Sequence, residues 1–463
     1  MNKFPQRQIF FKKPRTSISR AFLWIFLIIA GIYVVRSVDI GAMRSPFEPT
    51  LTPTRTANSY ALQGDALFEA GQIQDSITAY QQAVRIDPAA ADIWGKLARI
   101  QAYSSATMTT DEQRRVRLQE ALNSADKAVE LAPEDSTAHA IRAFVLDWNA
   151  SPVYVGDQTE KYLTDAELAA RRALTLDPTN TLALAYYAEI LTDQQKLDQA
   201  LINIEQAVQQ DPSLMDVHRV YAYVLESYRD YRLAIEEYDK AIAITPNLTF
   251  LMVRAGAIYR HLQDYERSLE YFDRAANINE KLGIKDPTPN LSIAKTYSQQ
   301  GEFFGAARNV LKALSYDQTN ADTYGQLGVV FFKSRNYEGS ILPLKCAVRG
   351  CTPEESCEAR NGCDADAGEV GVEVKGLPLT PNTVIYYYTY GSVLSALSRP
   401  QQNYCDEALD VFADVRLSFG TDIIIMPIVQ AGEAICQGVA EKMGTPLPPA
   451  PTSVPVPSPT VTP

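Results

Sequence analysis

The sequence predicts an all-α protein built as an α-solenoid of about nine helix pairs, and three observations predict it. A proline recurs every 34 or 45 residues, at Pro88, Pro133, Pro178, Pro212 and Pro246. An alanine stands five residues before each of these prolines, and another small residue stands seven residues before that alanine. Apolar residues follow the 3.6-residue helical period across each unit. Because one helix pair cannot bury its apolar face alone, successive pairs are expected to stack into a continuous core.

Each unit is predicted to contain a helix, a turn, a second helix and a stop. The stop falls at steps such as Asp87-Pro88, because proline cannot continue a helix. Small residues also recur in the first helix, 24 residues before the proline, at Gly64, Ala188 and Ala222. A small side chain at these positions lets two helices approach closely, where a larger one would overpack.

Together these small residues, the terminal prolines and the 34-residue period resemble the tetratricopeptide repeat family over residues 57–420. The resemblance implies a right-handed superhelix in which the first helices line a concave groove. Nine units follow from the pattern: 57–90, 91–135, 136–180, 181–214, 215–248, 249–282, 287–320, 321–352 and 384–420. The terminal proline is missing from units six, seven and nine, although their small helical residues still match.

The rest of the chain is predicted to flank this array. The expected order is a basic cytoplasmic segment (1–20), a transmembrane anchor or signal (21–35), a Pro/Thr-rich linker (36–56), repeats one to eight (57–352), a Cys-rich insertion (353–383), the ninth repeat (384–420), a cap helix (421–442) and a Pro-rich tail (443–463). The linker and tail are expected to be disordered spacers on composition. The tail is also a candidate for contact with a cell wall.

The N-terminal region predicts export. Six basic residues and no acid precede the apolar run Ala21–Val35. The positive-inside rule then keeps the N-terminus cytoplasmic and places the repeats outside, as in a single-pass membrane protein. The run has 15 residues, which lies between a signal-peptide core and a full span, so secretion after signal cleavage is the alternative.

Charge and cysteine content restrict the partners. The formal net charge is −12, and subtracting the six basic charges of residues 1–20 leaves −18 for the remainder, which repels nucleic acid. In an exported chain an even set of cysteines predicts disulfides at Cys346, Cys351, Cys357, Cys363, Cys405 and Cys436. We predict the pairing of Cys405 with Cys436, which would tie the ninth unit to the cap helix, and leave the others open.

The sequence offers no pattern for catalysis. Only three histidines occur, and neither a zinc HExxH, a P-loop nor a dinucleotide fingerprint is present. The cysteine spacings lack the paired C-x2-C steps of zinc sites. The sequence therefore predicts no enzyme, no cofactor and no metal site.

The family resemblance implies a protein or peptide ligand in the concave groove. The positions of the first helices that would line it are Arg99, Tyr103, Phe144, Trp148, Glu189, Asp193, Arg219, Tyr223, Glu226, Arg260, His261 and Lys295. The Lys-then-Asn pair that chaperone-binding members use to clamp a C-terminal carboxylate is absent at the matching places, as at Arg219 and Tyr223.

Three functions follow from these features. The first is a non-catalytic scaffold or adaptor that binds proteins or peptides and is presented on the outer side of a membrane through Ala21–Val35. The second is a structural, envelope- or wall-spanning element without a specific partner. The third, which the lack of catalytic motifs in the sequence does not favour, is a metal- or thiol-dependent enzyme that uses the Cys-rich insertion.

Overall fold

The computed structural model describes residues 18–39, 55–108, 110–363 and 370–444. The chain divides into two compact units, Met1–Arg55 and Thr56–Pro463. Most of the predicted basic segment, linker and Pro-rich tail lies outside the described residues, and so do positions 364–369 of the Cys-rich insertion.

The described part of the first unit is one apolar helix, α1 (Ile18–Asp39). Its segment Ile18–Ser37 has a mean hydropathy of 2.2, and the large apolar side chains of this segment are exposed. The helix begins before and ends after the predicted apolar run, because the helical backbone continues through the flanking polar residues. It is long and apolar enough to cross a membrane, a test that a signal sequence also passes.

The second unit is an all-α solenoid. Its eight consecutive helix pairs are α2 (Ala57–Glu69) and α3 (Ile73–Ile86), α4 (Ala91–Ser105) and α5 (Asp111–Leu131), α6 (Ser136–Asn149) and α8 (Thr159–Leu176) with the short α7 (Pro152–Val155) between them, α9 (Thr181–Asp193) and α10 (Leu197–Gln210), α11 (Met215–Ser227) and α12 (Tyr231–Ile244), α13 (Thr249–His261) and α14 (Tyr265–Leu282), α15 (Thr288–Gln300) and α16 (Phe303–Tyr316), and α17 (Ala321–Lys333) and α18 (Tyr337–Val348). Each second helix packs against its own partner and against the first helix of the next pair.

Small residues let the two helices of a pair interlock. A Cβ atom added to Gly64 would lie 2.7 Å from the ring of Tyr80, and one added to Gly256 would lie 2.7 Å from the ring of Phe272. The alanines before the prolines are buried completely, at Ala83, Ala128, Ala173, Ala207 and Ala241. The repeating small residues therefore mark the closest helix contacts, as the sequence pattern predicts.

The turn inside a pair uses a left-handed backbone at its tightest point. Glycine fills this position at Gly71 (φ 81°) and Gly301 (φ 83°), but four other units place a non-glycine residue there, at Gln195, Arg229, Gln263 and Arg335. A left-handed residue at a helix C-terminus lets the chain reverse while the last carbonyl groups stay hydrogen-bonded.

The superhelix is tight enough for distant repeats to meet. The turn at Gly71 lies so close to the turn before α13 that a Cβ atom there would be 2.3 Å from the carbonyl oxygen of Asn247. Further along, the Asn382 amide donates to the Asp111 carboxylate over 3.1 Å. The inner surface is therefore enclosed by contacts between units far apart in sequence.

The C-terminal region contains α19 (Pro353–Ala359), α20 (Val384–Leu397), α21 (Cys405–Phe419) and α22 (Ile425–Met443). The helix α22 packs over α20 and α21, in the place where a cap helix was predicted. All six cysteines are paired, as Cys346–Cys351, Cys357–Cys363 and Cys405–Cys436. The last bridge is the pairing predicted from the sequence.

Candidate partner-binding surfaces

The first helices carry all the predicted groove residues, but the structure divides these residues into three groups. The inner cluster is a buried network that contains Arg99, Tyr103, Phe144, Trp148, Glu189 and Arg219. A rim group contains Asp193, Tyr223, Glu226 and His261. The cationic cavity is an open space lined by Arg260 and Lys295.

Asp216 of α11 is the centre of the inner cluster, with 1% of its surface exposed. The Arg99 guanidinium donates to it from Nε at 3.0 Å, and the hydroxyl groups of Tyr103 and Tyr186 also donate to the same carboxylate. Burial alone would raise the pKa of Asp216, but the charge of Arg99 and these hydrogen bonds outweigh it and lower the pKa to about 2. Arg99 and Asp216 therefore form an internal ion pair across 117 residues of sequence.

A second buried ion pair lies beside the first. Arg219 donates to both carboxylate oxygens of Glu189, at 2.7 and 2.6 Å, and the indole of Trp148 donates to Glu189 at 3.0 Å. Arg219 also donates to the Tyr103 hydroxyl at 3.2 Å, which joins the two ion pairs. A bidentate pair with these additional bonds leaves neither charge unsatisfied.

Aromatic rings fill the space around these charges. Phe144 stacks on Tyr186 with ring centroids 4.5 Å apart, and Tyr103 stacks on Phe250 of α13 at 5.4 Å. The Arg219 guanidinium lies 5.4 to 5.6 Å from three ring centroids, including that of Trp148. These predicted groove residues thus contact each other instead of facing an open groove, because the superhelix brings α4, α6, α9, α11 and α13 together.

Asp147 of α6 differs from its neighbours in the inner cluster. It is 4% exposed, and neither of its carboxylate oxygens has a hydrogen-bond partner among the described residues. Burial raises the pKa of Asp147 well above its usual range, and the charges of Asp193 and Glu189 raise it further. The protonated form is favoured there because no donor among the described residues bonds the carboxylate and the nearby charge of Arg219 does not outweigh its burial.

The rim group lies around a shallow cavity of about 340 Å³. The Tyr223 hydroxyl donates to Asp193, and burial raises the pKa of Asp193 to about 6 despite this bond. Glu226 pairs with Arg254 at 3.1 Å, and His261 packs against the Tyr231 ring. Most polar groups at this rim already have partners within the chain.

The cationic cavity is larger, at about 870 Å³, and it opens on the inner side of the later repeats. Helices α15, α17 and α20 form its wall, while the start of α5 and residues 377–383 of the insertion close its side. The Asn382–Asp111 hydrogen bond joins these two closing segments. Apolar side chains on its surface include Leu291, Val329, Val330, Leu377 and Ile385.

Two of the predicted groove residues, Arg260 and Lys295, lie in this cavity, and the structure adds Lys333, Asp322 and Tyr386. Asp322 accepts hydrogen bonds from the Tyr386 hydroxyl and from Gln326, each at 2.8 Å. Sequence reasoning missed Lys333, which ends its helix five residues after the small Gly328. The basic residues in the last turns of two first helices, Arg260 in α13 and Lys333 in α17, were the signal that would have found it.

Comparison with known proteins identifies the repeats. The model described as "TPR repeat" matches residues 64–102, and the "Tetratricopeptide repeat" model matches residues 251–282. Both matches begin in a first helix and include small residues seen in close helix contacts. Together with the helix-pair architecture, these matches show that the chain contains tetratricopeptide repeats, which support a scaffold for protein interaction.

Solved structures with a similar fold are distant in sequence. The APC/C hetero-tetramer Cut9-Hcn1 is 14% identical with a TM-score of 0.45, and the match covers 67% of this chain and 54% of that one. A thermophilic TPR protein of Thermus thermophilus is 16% identical (TM-score 0.36; 44% and 98% covered), and PilF of Pseudomonas aeruginosa is 18% identical (TM-score 0.35; 45% and 92% covered). This chain thus spans about half the length of the first of these structures. No curated protein matches the sequence.

Proposed function

We propose that the protein is a membrane-tethered adaptor that binds a protein or peptide in the cationic cavity, without catalysis. The observation that supports this function is the open cavity of about 870 Å³ on the inner side of α15, α17 and α20. Concave surfaces with apolar walls and a few polar groups are where ligands usually bind. The inner cluster is already filled by its own side chains, so the ligand site lies in the later repeats.

Membrane attachment is part of the same proposal. The helix α1 presents large apolar side chains such as Phe22, Trp24 and Phe26 on its surface. A basic segment precedes it in the sequence, which favours a cytoplasmic N-terminus and repeats on the outer side. Three disulfides in the repeat region also support an oxidising compartment.

Site-specific photocrosslinking tests where the partner binds. A photoreactive phenylalanine analogue at Ile385, which lines the cavity, is expected to give one defined crosslinked product in native cells. The matched control is the same analogue at Phe304 of α16, which is 86% exposed and lies outside the cavity. The same products from both positions, or none from Ile385, would contradict the proposal.

The topology is tested separately by thiol labelling in intact cells. Cysteines outside the cytoplasm are expected to be oxidised, so a thiol reagent should label none of the six without prior reduction. Labelling of all six without a reductant would place the repeats in a reducing compartment. That result would remove the outer-side location and leave the binding function to be judged by the crosslinks.

A further inference from the structure

Three basic side chains lie together in the cationic cavity without an acid to balance them. Arg260, Lys295 and Lys333 come from three successive first helices, α13, α15 and α17. Within the described residues, none of the three has a carboxylate oxygen within 4.0 Å. Arg260 instead donates to the carbonyl oxygen of Ser292 at 3.3 Å and lies 5.3 Å from the Phe272 ring centroid.

The other charged groups of the cavity do not neutralise these cations. Arg114 and Arg115 pair with Asp111 and Glu112 next to them on α5, at 3.5 and 2.6 Å. The remaining carboxyl group, Asp322, is held by Tyr386 and Gln326, and burial raises its pKa. The cavity therefore has an excess of positive charge in a chain whose net charge is −12.

The three cations also repel each other in the free protein. Partial burial lowers the pKa of Lys295, and the nearby charges of Arg260 and Lys333 lower it further. Partial burial lowers the pKa of Arg260 as well. Like charges held close together cost free energy unless an anion joins them.

Apolar surface adjoins the cations. Leu291 and Val329 lie on the same helices as Lys295 and Lys333, and Ile385 faces them from α20. A ligand that carries carboxylates beside an apolar side chain would satisfy both parts of the surface at once. A bare inorganic anion would satisfy only the charges.

We propose that the cavity binds an acidic peptide segment of the partner protein, with carboxylate side chains on Arg260, Lys295 and Lys333 and an apolar side chain on the wall formed by α15, α17 and α20. This inference rests on the proposed function and adds the chemistry of the ligand. It differs from C-terminal carboxylate clamping because the cations lie in units six to eight and lack the Lys-then-Asn arrangement.

Fluorescence anisotropy on the full chain in a non-ionic detergent tests the proposal. The probe is a labelled peptide of about nine residues that alternates Glu and Leu, and the matched peptides replace every Glu by Gln or every Leu by Ser. We expect the Glu/Leu peptide to bind at least about 10-fold more tightly than either matched peptide, and its affinity to fall as salt rises from about 50 to 150 mM. Equal affinity for the Glu/Leu and Gln/Leu peptides would overturn the proposal.

Variants locate the binding within the cavity. The double substitution Lys295→Gln and Lys333→Gln is expected to weaken binding of the Glu/Leu peptide by at least about 10-fold. The control is Lys240→Gln with Lys312→Gln, which removes two exposed cations from the second helices α12 and α16 and should leave the affinity unchanged. An equal loss in both double variants would show non-specific attraction and overturn the assignment.

Two further outcomes separate this inference from the proposed function and from a simple anion site. If the Ile385 photocrosslink to the partner persists in the Lys295→Gln, Lys333→Gln variant, the adaptor function stands and the acidic ligand is rejected. If inorganic phosphate at about 10 mM displaces the Glu/Leu peptide completely, the cations bind anions without using the apolar wall, and the peptide assignment is rejected.

Discussion

The inner surfaces of the earlier and later repeats are built from the same helical positions, yet they differ in how their charges are balanced. In units two to five, Arg99 and Arg219 each find a buried acid on another inner helix, Asp216 and Glu189. In units six to eight, no carboxylate group among the described residues forms an ion pair with Arg260, Lys295 or Lys333. The first region is therefore a second core of the protein, whereas the second region keeps unpaired basic side chains around an open cavity.

The difference shows that an inner-helix position does not by itself define a binding site. Six predicted groove residues contact each other and so stabilise the superhelix. Arg219, for example, donates hydrogen bonds to both Glu189 and Tyr103. Tyr103 of α4 also stacks on Phe250 of α13, which belongs to a unit much later in the chain. A surface whose charges are already paired within the chain binds a partner weakly, because binding would have to break the internal ion pairs and hydrogen bonds.

Removal of Asp216 is expected to have the largest effect on stability. Asp216→Ala leaves the Arg99 charge and the hydroxyl groups of Tyr103 and Tyr186 without their acceptor, which should lower the free energy of unfolding by about 3–5 kcal/mol. Chemical denaturation followed by circular dichroism measures this change.

Two controls sharpen the comparison between the regions. Asp198→Ala removes a carboxylate from an exposed Tyr228–Asp198 hydrogen bond of 2.6 Å and is expected to cost below about 1 kcal/mol. Lys295→Ala in the cationic cavity should change stability by no more than about 0.5 kcal/mol, since no acid depends on it. A cost for Lys295→Ala as large as that for Asp216→Ala would erase the distinction between the two inner surfaces.

Packing inside a helix pair, unlike the inner surface, is expected to be the same in both regions. Gly256→Ala places a methyl group 2.7 Å from the Phe272 ring, and the overpacking should lower the free energy of unfolding by about 1–3 kcal/mol. Gly438→Ala in α22 is the control, because nothing lies within 4 Å of its added Cβ atom, and a gain of about 0.5–1 kcal/mol is expected from the better helix former. Thermal melting that shows a loss in both variants would argue against the interlocking model.

A pH dependence of stability is also expected at the inner cluster. Because the pKa of Asp147 is raised on folding, the folded state keeps a proton that the unfolded chain releases above a pH of about 4. Asp147 therefore does not reduce the free energy of unfolding below that pH. As the pH rises from there toward the raised pKa of the folded state, the free energy of unfolding falls. Asp147→Asn removes this loss, so the stability gain of the variant over the natural chain should increase as the pH rises above about 5, by at most about 1.4 kcal/mol per pH unit.

The control for this experiment is Asp157→Asn, which changes an exposed carboxyl group outside the cluster. Its stability difference from the natural chain should not vary with pH. A pH-independent difference for Asp147→Asn as well would show that Asp147 is ionised in the folded protein.

The repeat pattern allowed much of the fold to be predicted, because helix pairing depends on residues close in sequence. The small residues at Gly64 and Gly256 are spaced so that the large rings of Tyr80 and Phe272 pack against them within one unit. The helix stops at Pro88 and Pro178 follow from the chemistry of single residues. The Cys405–Cys436 bridge was also predictable, since a cap helix must pack on the last pair.

The division of the inner surface was not predictable in the same way. The Arg99–Asp216 pair joins residues 117 positions apart, and whether they meet depends on the superhelical radius, which adds small rotations over several units. Complementary charges on inner helices were the only signal in the sequence, and they do not state which residues face each other.

By itself, the sequence determined the helix pairs, their order, the apolar N-terminal helix and the excess of acid over base, because each depends on local spacing or composition. Only the tertiary structure decided which inner charges are neutralised and which remain available. That outcome depends on the curvature accumulated across the repeats, which brings Arg99 to Asp216, whereas Lys295 lies beside Lys333 without an acid between them.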